Sequence, residues 1–167
     1  MPDRGIKSRA RSSSVQLTEV LRSLIALELM APSETISLIS PWISDMPLVD
    51  NRFGQFRAIM PEMGKTQLGL VDVLITLAER GCQVRVMYRP HVPQTEGFLR
   101  RLPPFIKCKA IEHLHEKGLI CNHFYLRGSM NFTYSGVNLN EESIELTTQP
   151  DQVAKACLEA QYMWETF

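Results

Sequence analysis

The segment HEKGLICNHFYLRGSMNFTYSGVNLNEE, His115 to Glu142, decides how the chain reads. It sets His115 and Lys117 two positions apart, then a Gly128-Ser129 pair followed by Asn131, then Asn140 and Glu142. Leu114 to Ile120 is too short and too Gly-interrupted for a helix, so it is predicted as a strand. Asn122-His123 reads as a turn, and Phe124 to Leu126 as the return strand. Side chains two apart on a strand leave the same face, so His115, Lys117, Leu119 and Cys121 are expected together.

Those residue types suit phosphodiester chemistry. Imidazole is a competent nucleophile at neutral pH because much of it is unprotonated. Attack on phosphorus through a covalent phosphohistidine splits one hard displacement into two easier ones. Lys117 and Asn131 are donors for non-bridging oxygens; one preorganised donor of this kind contributes roughly 3–4 kcal/mol to a transition state. The Gly128-Ser129 bend is expected to offer backbone N–H groups and a hydroxyl to phosphate. Glu142 can accept the second ring N–H of His115 and fix its tautomer.

The pattern H-x-K-x10-G-S-x-N-x8-N-x-E resembles the phospholipase D superfamily, and within it the small single-motif bacterial members, which are nucleases. The resemblance is specific from His115 to Glu142 and compatible with the chain from about Glu34 onward. It implies catalytic roles for His115, Lys117, Asn131 and Glu142, and phosphate contacts at Gly128, Ser129 and Asn140. It implies no cofactor and no catalytic metal. The family pattern carries an Asp seven positions after the His; here Asn122 stands there. The family mechanism uses two His-Lys pairs, one His attacking and one protonating the leaving oxygen. This chain has one pair, since His91 in RPHVPQ has no Lys two residues on. A homodimer sharing one cleft across a two-fold axis is therefore expected. The implied substrate is nucleic acid, DNA ahead of RNA. Two alternatives are a catalytically weak or inactive nucleic-acid-binding subunit and a phospholipid phosphodiesterase or transferase. Further partners from a phage-defence or DNA-modification cluster also fit the resemblance.

A competing metal reading rests on His113, His115, Cys121 and His123, whose donors suit tetrahedral zinc. Their spacing matches no familiar zinc pattern, and the reading leaves Lys117, Gly-Ser-x-Asn and Asn-x-Glu unexplained. Cys121 is instead read as a small buried hydrophobe, and His113 and His123 as surface or turn residues.

Charge sharpens the polyanion expectation. The net charge is zero, yet residues 80–127 carry 9 basic and 3 acidic side chains, and residues 128–167 carry 1 and 6. The positive excess precedes and includes the His-Lys pair, where it would attract phosphates; the alternative is that Arg100, Arg101, Lys107 and Lys109 form an ordinary solvated face. No apolar run approaches the roughly 18–20 residues of a membrane span. The N-terminus lacks a signal-peptide core, and Cys82, Cys108, Cys121 and Cys157 form no disulfide framework. A cytoplasmic protein with free thiols is expected.

Residues 1–14 are Ser-rich and basic and read as a mobile arm, with a single domain over 15–167. SVQLTEVLRSLIALELM has helical spacing at Leu17, Val20, Leu21, Leu24 and Ile25. ETISLISPWISD is a strand entering a loop at Pro41, in which Trp42 is expected either to pack the core or to line a ligand crevice at the strand end. Residues 43–66 show little pattern. TQLGLVDVLITLAERG reads as a helix stopped at Gly81. CQVRVMYRP, FIKCKAIEH and SIELTTQ read as strands, TEGFLRRL as a short helix and Asp151 to Glu165 as a closing helix. This alternation predicts an α/β fold, a mostly parallel or mixed sheet with helices on both faces.

Overall fold

The computed structural model describes residues 4–7, 12–61, 64, 66–135 and 143–167. Its centre is β2 (Thr35–Ile39), whose alternation splits the core. Ile36 and Leu38 face one side with Val84, Val86, Leu119 and Leu126; Ile39 faces the other with Met87 and Ile120. Period-two alternation on a strand buried on both faces requires cover on both. The first face is covered by α1 (Ser12–Met30), α2 (Leu70–Glu79) and Phe98 of α3 (Pro93–Leu99). The second is covered by α4 (Pro150–Thr166), through Ala156 and Ala160.

Among the described residues the sheet has seven strands, in the order β1-β9-β8-β7-β2-β5-β6. These are β1 (Arg4–Lys7), β5 (Gln83–Tyr88), β6 (Lys107–Ala110), β7 (Gly118–Ile120), β8 (Tyr125–Gly128) and β9 (Ser143–Thr147) around β2. Pairings β2–β5 and β5–β6 are parallel; those of β7, β8, β9 and β1 are antiparallel. Of the two expected forms, the sheet takes the mixed one, parallel on one side of β2 and antiparallel on the other. A separate two-stranded ribbon, β3 (Pro47–Asp50) with β4 (Gln67–Gly69), flanks α1 and α2.

Three elements differ from expectation. Arg4–Lys7, placed by sequence in the mobile arm, pairs with β9 along its otherwise open edge, and α1 begins at Ser12. The helix expected from Thr66 starts at Leu70, because Gln67–Gly69 joins the ribbon. Gly69 sets that boundary. A Cβ there would lie 2.3 Å from Asp45 Oδ1, while Asp45 accepts the Val71 N–H and Asp72 accepts the Gly69 N–H, each at 3.0 Å. These carboxylates satisfy the open N–H groups of a helix start. Finally, the strand expected over Leu114 to Ile120 is only Gly118–Ile120. None of the described helices is long and apolar enough to cross a membrane.

Candidate active site

Topology gathers the chemistry at one end of the sheet. The parallel strands β2 and β5 end at Ile39 and Tyr88. β7 runs antiparallel to β2 with Gly118 opposite Ile39, so His115 and Lys117 enter at that end. β8 leaves there, with Arg127 opposite Gly118, and β9 returns with Ile144 opposite Gly128. Ligands of open α/β sheets bind in this position, beyond the carboxyl ends of parallel strands.

His115 and Lys117 precede β7 in irregular backbone, so strand alternation does not bring them together. Instead Lys117 Nζ donates to the carbonyl of His115 at 2.8 Å. The His115 ring is exposed, and its Nδ1 lies 3.2 Å from Nη2 of Arg89, which also donates to the carbonyl of Leu114. Sequence reasoning missed Arg89. Its signal was position: it is the first residue after β5, at the end where sites form. His91, two residues on, has the left-handed φ of 62° that turns the chain toward α3.

The Gly-Ser turn works differently from expectation. Gly128 N–H donates to Lys117 O at 3.3 Å, and Ser129 N–H to Ser143 O at 3.0 Å. Both backbone donors expected for phosphate are thus spent on the sheet ladder. Ser129 Oγ in turn accepts the Ser143 N–H at 3.1 Å. Glycine at 128 is required by closeness: a Cβ would sit 2.0 Å from Ser143 O.

Asn131 locks the loop after β2 against this turn. Its Oδ1 accepts the Trp42 N–H at 3.3 Å and lies 3.3 Å from Ser40 Oγ. Ser40 Oγ accepts the Phe132 N–H at 3.2 Å, and Phe132 O accepts the Ser44 N–H at 3.0 Å. With Oδ1 committed, Nδ2 is the donor left to Asn131, and it has no hydrogen-bond partner among the described residues. Trp42 does not pack the core; it is 49% exposed at this rim. Ile43 takes the core position, its N–H held by buried Thr95 at 3.0 Å.

Beside Lys117 lies an open cavity of about 330 Å³, lined also by Glu116, Tyr125, Arg127, Gly128, Ser143 and Glu145. The Glu145 carboxylate, 2.8 Å from Arg127 Nε, and then Tyr125 raise the guanidinium's pKa above its ordinary value. His115 is not part of this lining. Asn140 and Glu142 lie outside the described residues. Asn122 is at the opposite end of β7, its N–H donating to Ser33 Oγ at 3.0 Å. The four-residue metal reading dissolves on the same ground: His113 and His115 precede β7, Cys121 and His123 follow it.

Comparisons with known proteins agree with this architecture. The family described as "Cardiolipin synthase, PLD-like domain" matches residues 54–164. The chain belongs to this phospholipase D-like family, which places it among phosphodiesterase-type enzymes. NucT from Helicobacter pylori superposes with a TM-score of 0.66 at 17% identity, over 99% of this chain and 98% of that one. Nuc, a phospholipase D family member from Salmonella typhimurium, gives 0.62 at 15% identity, over 98% and 94%. TrmBL2, an archaeal chromatin protein with a novel mode of DNA binding, gives 0.50 at 12% identity, over 99% and 54%. No curated protein sequence matches the chain.

Proposed function

We propose that this chain is a phosphodiesterase acting on nucleic acid, DNA ahead of RNA, through a phosphohistidine at His115, with one site shared across a homodimer. What carries the reading is the convergence of His115, Lys117 and Asn131 on one sheet end of a phospholipase D-like fold. His115 Nε2 attacks phosphorus as the bond to the leaving oxygen breaks. That oxygen takes its proton from His115 of the partner subunit. The same imidazole then draws a proton from water, which cleaves the P–N bond and frees the first His115. Lys117 Nζ and Asn131 Nδ2 steady the non-bridging oxygens, and Glu142 accepts a hydrogen bond from the Nδ1–H of the attacking ring, which keeps that proton throughout. The basic side chains Arg89, Lys117 and Arg127 at this end favour a polyanion. TrmBL2, a DNA-binding protein, shares the fold. A lipid phosphodiester is the second reading, favoured by the family's description.

The test is hydrolysis of labelled DNA, labelled RNA and phosphatidylglycerol vesicles by wild type, His115→Ala and Lys117→Ala. DNA cleavage should fall at least about 1000-fold in either variant, on the scale of losing a nucleophile or a key charge donor. Variants as fast as wild type would remove the site assignment. Turnover of vesicles alone would replace nucleic acid with lipid.

A further inference from the structure

At the end of the sheet away from His115, three metal-competent side chains meet in the core. Glu28 on the last turns of α1 is completely buried, as is Cys121 at the end of β7. His123, in the β7–β8 turn, is 36% exposed along its side chain. Their donor atoms, Glu28 Oε1, Cys121 Sγ and a His123 ring nitrogen, all lie within 4.8 Å of one another. Oε1 is 2.6 Å from His123 Nδ1 and 3.1 Å from Cys121 Sγ. Ser33 Oγ stands at a fourth corner, 3.1 Å from Oε1 and 3.4 Å from Nδ1.

We propose that Glu28, Cys121 and His123 form a structural site for a zinc-class divalent ion, with a water held by Ser33 as the fourth ligand. The donor set is one carboxylate oxygen, one imidazole nitrogen and one thiolate, which suits borderline-soft Zn²⁺ over Mg²⁺ or Ca²⁺. Charge points the same way. A carboxylate inside the core is costly unless its charge is matched. One carboxylate, one thiolate and one divalent ion sum to zero, so the loaded site is neutral overall. Distances are compatible too. Bond lengths near 2.0 Å for oxygen and nitrogen and near 2.3 Å for sulfur place tetrahedral ligands about 3.3–3.5 Å apart. The observed pairs need to open by roughly half an ångström or a little more. The metal–sulfur bond forms as the Cys121 thiol proton leaves to solvent. The imidazole gives its Nδ1 lone pair and keeps its ring proton on Nε2. The half-exposed His123 side is the way in.

Such an ion ties the end of α1 to the β7–β8 turn beside the entry to β2. It lies across β7 from Lys117, so it braces the strand that presents the catalytic pair without touching substrate. Thiols elsewhere do not offer this set: among the described residues buried Cys82 belongs to no such group of metal-competent side chains, and Cys108 is exposed.

The experiment is Co²⁺ titration of the chelator-treated full chain, read by absorbance. The expected result is one ion per chain, with a sulfur-to-cobalt charge-transfer band and the intense visible bands of tetrahedral cobalt. Zn²⁺ should displace it and raise the melting temperature. Cys121→Ser should lose the charge-transfer band. His123→Gln, at a half-exposed position that folds without difficulty, should weaken uptake at least about tenfold. His115→Ala should bind as wild type does. Absence of a charge-transfer band in the folded wild-type chain overturns the site. So does a band that survives Cys121→Ser, and uptake lost in His115→Ala moves the metal to the catalytic end.

Discussion

Arg89 and His115 form the contact that says most about how the proposed chemistry is controlled. A guanidinium only donates hydrogen bonds, so in this contact the His115 Nδ1 accepts. A neutral ring then carries its proton on Nε2, which leaves no lone pair there for attack, so this contact holds the ring in a resting tautomer. Arg89 and Glu142 are thus rivals for one nitrogen, and attack through Nε2 requires that Nδ1 carry a proton in place of the Arg89 contact. Arg89 is a positioning residue in this scheme, since it also fixes the Leu114 carbonyl. Arg89→Ala should lower kcat about tenfold or more with KM little changed, a loss of about 1.4 kcal/mol of transition-state stabilisation. Arg89→Lys should not restore it, because the shorter, strongly hydrated ammonium does not carry a nitrogen to the place of Nη2, which serves both acceptors. A raised KM at constant kcat would assign Arg89 to substrate phosphate instead. Asn122 belongs to a different part of the molecule. Its place beyond β7 sets this departure from the family pattern apart from the proposed catalytic residues.

The elements show where the chain was readable in advance. Strand β2, β5 and helices α1 and α4 follow from alternation and helical spacing, because each buries a continuous face. The antiparallel hairpin β7–β8 was visible in its turn residues, but its first strand was overdrawn. Leu114 is buried while His115 and Glu116 are both exposed, a sequence that neither period describes. Sequence also left Trp42 open between core and crevice; its rim position is fixed by its N–H bond to Asn131 Oδ1 and by Ile43 filling the core. Residue type alone cannot reveal either. The backbone of the Gly-Ser turn could not be assigned either, since its donors are claimed by Ser143 and Lys117 from distant segments. Gly128 is the sharpest mechanical test of that pairing. Gly128→Ala should destabilise the chain by about 2 kcal/mol or more, as overpacking against rigid backbone does. Urea denaturation would read this as a lower midpoint at unchanged slope; an unchanged midpoint would mean β8 and β9 are less closely joined. On α2's far side, burial and then the nearby Glu28 charge push the Cys82 thiol up to about 11. Its folded-state pKa exceeds the ordinary value of about 8.5, so the folded chain keeps a proton that the unfolded chain loses. Stability is therefore fully present below about pH 8.5 and falls as pH rises toward 11. The wild-type urea midpoint should drop more between pH 8 and pH 10 than that of Cys82→Ala; equal drops would place the alkaline sensitivity elsewhere.

At the scale of the whole molecule, a single His-Lys pair sets the stoichiometry of any two-histidine mechanism. Mixing wild type with His115→Ala and allowing exchange gives a direct reading. If each site needs both subunits' His115, activity should follow the square of the wild-type fraction. A linear dependence would make one subunit sufficient and retire the shared cleft. The open sheet also bears on how copies can meet. Strand β6 is its exposed border, and there Lys107 and Lys109 sit on a four-residue strand. Short, lysine-bearing borders discourage another chain from adding a strand. Lys109 is further drawn inward, donating to the Trp164 carbonyl and lying 5.4 Å from the centre of its ring. A head-to-tail assembly, with β6 of one copy laid on the opposite border of the next, would be open-ended. With that route discouraged, the chain is guarded against the filament that an unprotected sheet border of this kind invites.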